Sequence, residues 1–335
     1  DWQETLRRKS RRPEWFNALI EELGQTIMTR INASADVNPV NLLALVLLGT
    51  PRHALGEKQL ARQLSLYQEL LAHKPTPERV TLTPKSAKQI IEYGFTMEIL
   101  QRQEHTLGDI ISIRPERAVS LTYLRNNISH LVTLHSLVAC CFLEHRKFRI
   151  SHLHKFAALA HPFLQAELFL PWDQQQIITA LDEAIGQLVM LGLLVRDEDG
   201  DTLSRTPDNP ESVMQLRILA HSLLQTLHRY LITISILARN GSGVLSRAEL
   251  ERLCIHTAQR ISMLHEFDAP EFYDKYLFKG FIAQLRKEGY LSPNPDNMLV
   301  FDRRLEQIST DAQFILGEAI RQEIDRQTPL TENGD

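Results

Sequence analysis

The chain has 335 residues, 43% hydrophobic and 23% charged, a composition of ordinary globular type and long enough for two or three domains with a real core. A formal net charge of −4 argues against a generic polyanion binder, since a basic excess is what draws in phosphates at long range; any basic site must be local. Three cysteines, with no CxxC pair and no histidine placed to complete a zinc set, fit a reduced compartment, and no metal or cofactor is expected.

In chain order, the N-terminus opens Asp1-Trp2-Gln3 without an apolar signal core and without Met, which is expected of a fragment with something upstream. Arg7, Arg8, Lys9, Arg11 and Arg12 then place five cations in six residues, flanked by Trp2, Trp15 and Phe16. This is a candidate contact with anionic lipid head groups, at about 1 kcal/mol per nearby cation, or else a solvated linker. The longest apolar runs, Leu42–Leu48 and Leu137–Leu143, are seven residues each, against the roughly 20 a helix needs to span a bilayer.

A repeat runs through the rest. Short openings at Leu55, Ile150 and Leu245 lie 95 residues apart, each after an apolar helix and each followed by amphipathic helix. Ser151 and Ser246 are expected N-caps, with Gly56 the weaker equivalent. The later helices are expected to stop at Gly94-Phe95, Gly192-Leu193 and Gly289-Tyr290, where a positive φ ends a helix. Strand, turn and strand should follow: 98–103 with 109–113, 193–196 with 202–204, and 290–292 with 298–301. The expected fold is therefore mainly α with small antiparallel β wings, as tandem winged-helix-like modules joined by helices. The segments are 1–41 (linker and helix), 42–133, 134–227 and 228–335 (third module and C-terminal helix). Proline clusters at 74–77, 83–84 and 206–210 mark loops, and the polar end from Pro329 to Asp335 is expected to fray.

Catalytic signatures are missing: no GxSxG, P-loop, GxGxxG or HExxH occurs. His152 and His154, two apart on a helix, cannot share a metal, and Cys140 and Cys141 lie in an apolar helix as small hydrophobes. The most informative stretch is 123–130. Leu121, Leu124, Ile128 and Leu131 follow helical spacing and should face the core, which would send Tyr123, Asn127 and His130 down a second, polar face with Arg125 and Asn126 to either side. That face is either a docking or phosphate-facing surface or a buried hydrogen-bond network between helices.

From this stretch outward the sequence resembles the bacterial membrane-bound glycerol-3-phosphate acyltransferases (PlsB type), in their C-terminal half. The resemblance rests on Thr106-Leu107-Gly108-Asp109-Ile110-Ile111 ahead of Tyr123-Leu124-Arg125-Asn126-Asn127-Ile128-Ser129-His130, on Ala166–Leu170 with Trp172-Asp173, and on Ala269–Lys275 leading into Leu285–Tyr290. Asn38-Pro39-Val40-Asn41-Leu42 is similar to that family's junction leaving the catalytic domain. The resemblance implies an enzyme that moves a fatty acyl group from acyl-CoA or acyl-carrier protein to glycerol 3-phosphate, the first step of phospholipid synthesis, working peripherally on the cytoplasmic face of the inner membrane.

The family's catalytic pair is a His and an Asp with four residues between them, and none of the thirteen histidines here has an Asp at that spacing. No Phe-Pro-Glu-Gly block is present either. This segment alone is thus expected to be inactive and to pack on an upstream catalytic domain of the same protein. Tyr123, Arg125, Asn126, Asn127 and His130 are the candidates for that contact or for the active-site rim, and acyl donor and glycerol 3-phosphate would be met through that domain. The competing reading is a non-catalytic tandem winged-helix scaffold or a nucleic-acid-binding protein. Asp197, Glu198, Asp199 and Asp201 in the second wing argue against nucleic acid.

Overall fold

The computed structural model describes residues 14–72, 79–207, 209–264, 270–305, 307–308 and 326. The basic cluster Arg7–Arg12 and the frayed end expected from Pro329 lie outside the described residues.

Helix α1 (Glu14–Asn32) stands at the edge of the body and leads into a short strand β1 (Asp36–Val37), which pairs in parallel with β3 (Thr81–Leu82). Then follows α2 (Pro39–Leu47). Asn38 accepts from the amides of Val40 and Asn41, Asn41 answers with a bond to the Asn38 amide, and Pro39 sits at the first helical position, where a missing N–H costs nothing. From Leu42 to Leu47 every side chain of α2 is buried.

The chain continues through β2 (Ala54–Gly56), α3 (Glu57–Ala72), α4 (Ala87–Thr96) and a hairpin of β4 (Leu100–Gln103) and β5 (Ile110–Ile113). The sheet order is β2-β5-β4, all antiparallel. After α5 (Ala118–Ser129), the order of elements recurs: α6 (Thr133–Cys141), β6 (Lys147–Arg149), α7 (Ile150–Leu168), α8 (Gln176–Met190), then β7 (Leu194–Arg196) and β8 (Thr202–Arg205) in the sheet order β6-β8-β7. It recurs in reduced form after the 31-residue α9 (Pro210–Asn240). There Ser246 makes an isolated antiparallel bridge to Met298, ahead of α10 (Arg247–Leu264), α11 (Lys275–Lys287) and the hairpin of β9 (Ser292–Pro293) and β10 (Leu299–Val300).

In each unit the residue just before the first long helix pairs at the start of the second hairpin strand, or in the third unit with the residue before it: Gly56 with Ile110, Arg149 with Thr202, Ser246 with Met298. Those positions are 93 and 97 residues apart, so the spacing of 95 averages over unequal loops. The centre of the body is α6 lying along α9, and all three cysteines are buried there, Cys140 Sγ pointing at the Ala220 carbonyl at 3.5 Å. Burial pushes the Cys254 thiol up to about 12 and drives Cys140 and Cys141 upward as well, which leaves them inert.

Two local expectations fail for stated reasons. Gly94 does not end a helix: it lies inside α4, and a Cβ there would sit 2.6 Å from Leu100 Cδ1 and 2.7 Å from Leu43 Cδ1, so the glycine is needed for a close approach. The positive φ falls instead on Glu98, at 53°. Gly192 and Gly289, with φ of 71° and 74°, do end α8 and α11. Ser151 is not an N-cap but the second residue of α7. The cap comes from a remote side chain, Asp201, whose carboxylate accepts from the Ser151 amide and hydroxyl at 2.9 Å each. These two bonds hold the Asp201 carboxyl below its usual range. Ser246 does cap, exchanging bonds with Glu249.

Candidate functional site

Helix α5 is positioned from below by its apolar side. Leu121 and Ile128 are buried, Leu124 is half-buried, and the Leu124 carbonyl accepts from Asn41 Nδ2 at 2.6 Å, which fixes α5 across the start of α2. The five candidate residues then separate. Tyr123 is 70% exposed, and Asn126 and Asn127 also face solvent. Arg125 is buried to 9% exposure, its Nη2 donating to Asn126 Oδ1 at 3.0 Å.

His130 does not share the polar face with Tyr123 and Asn127. The helix ends at Ser129, and the His130 ring turns into the joint between α5 and α1. There Nε2 lies 3.0 Å from the Asn32 carbonyl, and because a carbonyl can only accept, that nitrogen carries the proton. Asn32 in turn donates from Nδ2 to the Leu168 carbonyl at 2.8 Å, so one side chain ties α1 to α7. Of the five, only Arg125 and Asn126 are brought together.

Arg125 lines a cleft of about 970 Å³. Its polar lining includes Arg52 and His53 in the loop after α2, Arg125 on α5, His221 and Gln225 on α9, and Ser262 near the end of α10, with Ile113 of β5 and Tyr273 closing it. Gly49 lets that loop pass close under α9; a Cβ there would meet the Ile218 carbonyl at 3.3 Å. Arg52 and His53 both hold left-handed backbone, φ 54° and 50°, a conformation that costs about 1–3 kcal/mol per non-glycine residue and needs packing around it to persist.

No Asp or Glu is among the described residues of the lining. Burial, reinforced by Arg217, holds His221 below its ordinary pKa, so at neutral pH it is a hydrogen-bonding group and not a cation. Two guanidiniums, Arg52 and Arg125, line the same cleft. The arrangement suits holding an anion; with no carboxylate among the described lining residues to orient a histidine, it does not make a general-base pair. Sequence reasoning reached Arg125 but missed Arg52, His53 and His221, which stand on separate elements and share no spacing.

A second buried cluster joins α7 to α9. Arg229 pairs with Glu167, and Tyr230 Oη donates to Glu167 Oε2 at 3.0 Å. Arg229 also donates to Thr226 Oγ1 at 2.9 Å. Glu167 is therefore a structural tie. Among the described residues no group of three or more His, Cys, Asp or Glu is placed to hold a metal, and no helix is long and apolar enough to cross a membrane.

Residues 1–294 match the family described as glycerol-3-phosphate acyltransferase C-terminal region. A glycerol-3-phosphate acyltransferase of Xanthomonas axonopodis pv. citri is 44% identical over 337 residues, covering 100% of this chain and 38% of the relative. One of Xylella fastidiosa is 44% identical over 98% of the chain and 38% of its own length, and one of Pseudomonas entomophila 37% identical over 98% and 40%. The chain thus spans about two fifths of the length of the curated relatives it matches. With residues 1–294 matched, the chain belongs to the glycerol-3-phosphate acyltransferase C-terminal region family.

Proposed function

We propose that this chain is the non-catalytic C-terminal part of an enzyme that transfers a fatty acyl group from acyl-CoA or acyl-carrier protein to glycerol 3-phosphate. The observation that carries the reading is membership of the family along nearly the whole chain while no His-x-x-x-x-Asp pair occurs anywhere in it. The general base and the residue that orients it then belong to the part of the protein that precedes this one. The body described here supports that part.

Three finer features complete the proposal. The recurring units are winged-helix-like modules used for packing against protein; the second wing's Asp197, Asp199 and Asp201 would repel a nucleic-acid backbone, and Asp197 is already paired with Lys147 at 2.7 Å. The enzyme works peripherally at the cytoplasmic face of the inner membrane, with Arg7, Arg8, Lys9, Arg11 and Arg12 facing anionic lipid. Arg125, held by Asn126 and seated in the cleft with Arg52, orders the rim that the catalytic part meets.

The test is Arg125→Ala in the intact protein. We expect acyl transfer to fall at least tenfold while the body's melting temperature moves by no more than a few degrees, with Arg125→Lys recovering only part of the loss because a point charge cannot replace a planar fork. Unchanged activity would remove Arg125 from the rim.

A further inference from the structure

Helix α1 is amphipathic in the wrong direction for the body it is attached to. Over its 19 residues Trp15, Leu19, Leu23, Ile27 and Ile31 recur every fourth position, and with Ile20 they cover an arc of about 160° at 100° per residue, an arc that also holds Phe16 and is interrupted only by Thr26 and Arg30. These six side chains are each 47–61% exposed. The opposite side carries Glu21, Gln25, Thr29 and Asn32, and this is the side that touches the body: Glu21 pairs with Lys287 of α11 at 2.6 Å, Gln25 and Thr29 are half-buried, and Asn32 holds the Leu168 carbonyl. From Asn17 to Gly24 every residue is exposed, and Gly24 has open space around it. A helix of this length draws its stability from burying its apolar face, and here only Phe16 on that face is half-buried while the six others stay about half exposed or more.

We infer that the apolar face of α1 is the docking surface for the catalytic part of the same protein, and that α1 is a structural member of that part attached to this body by its polar side. The inference rests on the proposed function. Two observations select this occupant. The matched family is a C-terminal region and the chain covers 38% of its relative, so in such proteins most of the length comes before this region. The helix also has the wrong charge for an anionic lipid surface: helices lying in that interface carry Lys and Arg on the polar face, whereas outside its apolar arc the described side chains of α1 include Glu21 and Glu22 and no Lys or Arg.

The experiment places a photoreactive benzophenone amino acid at Leu23 in the intact protein, with the exposed Ala18 on the polar side as control, and maps the adducts by mass spectrometry. Adducts from position 23 to residues that precede α1 in the same molecule, and few from position 18, are expected. Adducts to lipid, or to a second copy in a mixed-isotope sample, would overturn the assignment. In parallel, hydrogen exchange on the unsubstituted intact protein and on the 335-residue chain needs no variant to fold: amides of α1 should exchange at least tenfold more slowly in the intact protein, and equal rates would overturn the inference. Neither readout uses turnover, so a failure of the docking assignment is distinguishable from a failure of the acyltransferase reading, which the activity of the intact protein tests separately.

Discussion

Helices α6 and α9 at the centre of the body and α1 at its edge are made of similar residues with opposite outcomes. In the centre Leu137 and Leu231 are each 1% exposed, packed in a core that is apolar on nearly every side of the α9 C-terminal half. In α1 the leucines face outward. The difference teaches that an apolar stripe reports a partner and not where that partner is. Where it lies within the same body, the stripe becomes core; where it does not, the stripe marks the boundary of the next one.

Stability measurements sharpen that contrast. Leu231→Ala should cost about 2–5 kcal/mol in chemical unfolding of the 335-residue chain, as expected for a side chain deleted from a closed core. Leu23→Ala should change the same measurement by no more than about 0.5 kcal/mol, because little is buried there to lose. Equal costs would break the comparison.

A smaller effect is expected in the cleft. Because the folded pKa of His221 is lowered by burial and by Arg217, the protein keeps the stability tied to its neutral form above the unfolded value of about 6.5 and loses it as pH falls through the lowered folded value. His221→Gln should flatten the loss of stability below about pH 6.5 while leaving neutral stability nearly unchanged. An identical acid profile in the variant, followed by urea midpoints across that range, would contradict the assignment.

How much of this was legible depended on whether the cause was local. The hairpins after Gly192 and Gly289 could be read because a glycine with positive φ and a switch to period-two patterning are both written in adjacent residues. The apolar side of α5 was readable for the same reason. Gly94 was misread because its role is set by Leu43, fifty-one positions earlier, and Ser151 because its cap comes from Asp201, fifty positions later. The cleft was legible only at Arg125. Arg52, Arg125 and His221 meet through the packing of α2, α5 and α9, and no pattern along the chain records that. Helical spacing put His130 on the face of Tyr123 and Asn127, but α5 ends at Ser129 and the ring turns to the Asn32 carbonyl instead.

Acyl transfer to glycerol 3-phosphate should be measured for the intact protein and for the 335-residue chain under the same conditions, with acyl-CoA and with acyl-carrier protein as donors. We expect turnover from the intact protein with at least one donor and none above background from the chain alone, which has no His-x-x-x-x-Asp pair. Turnover by the isolated chain would contradict its assignment as the supporting part.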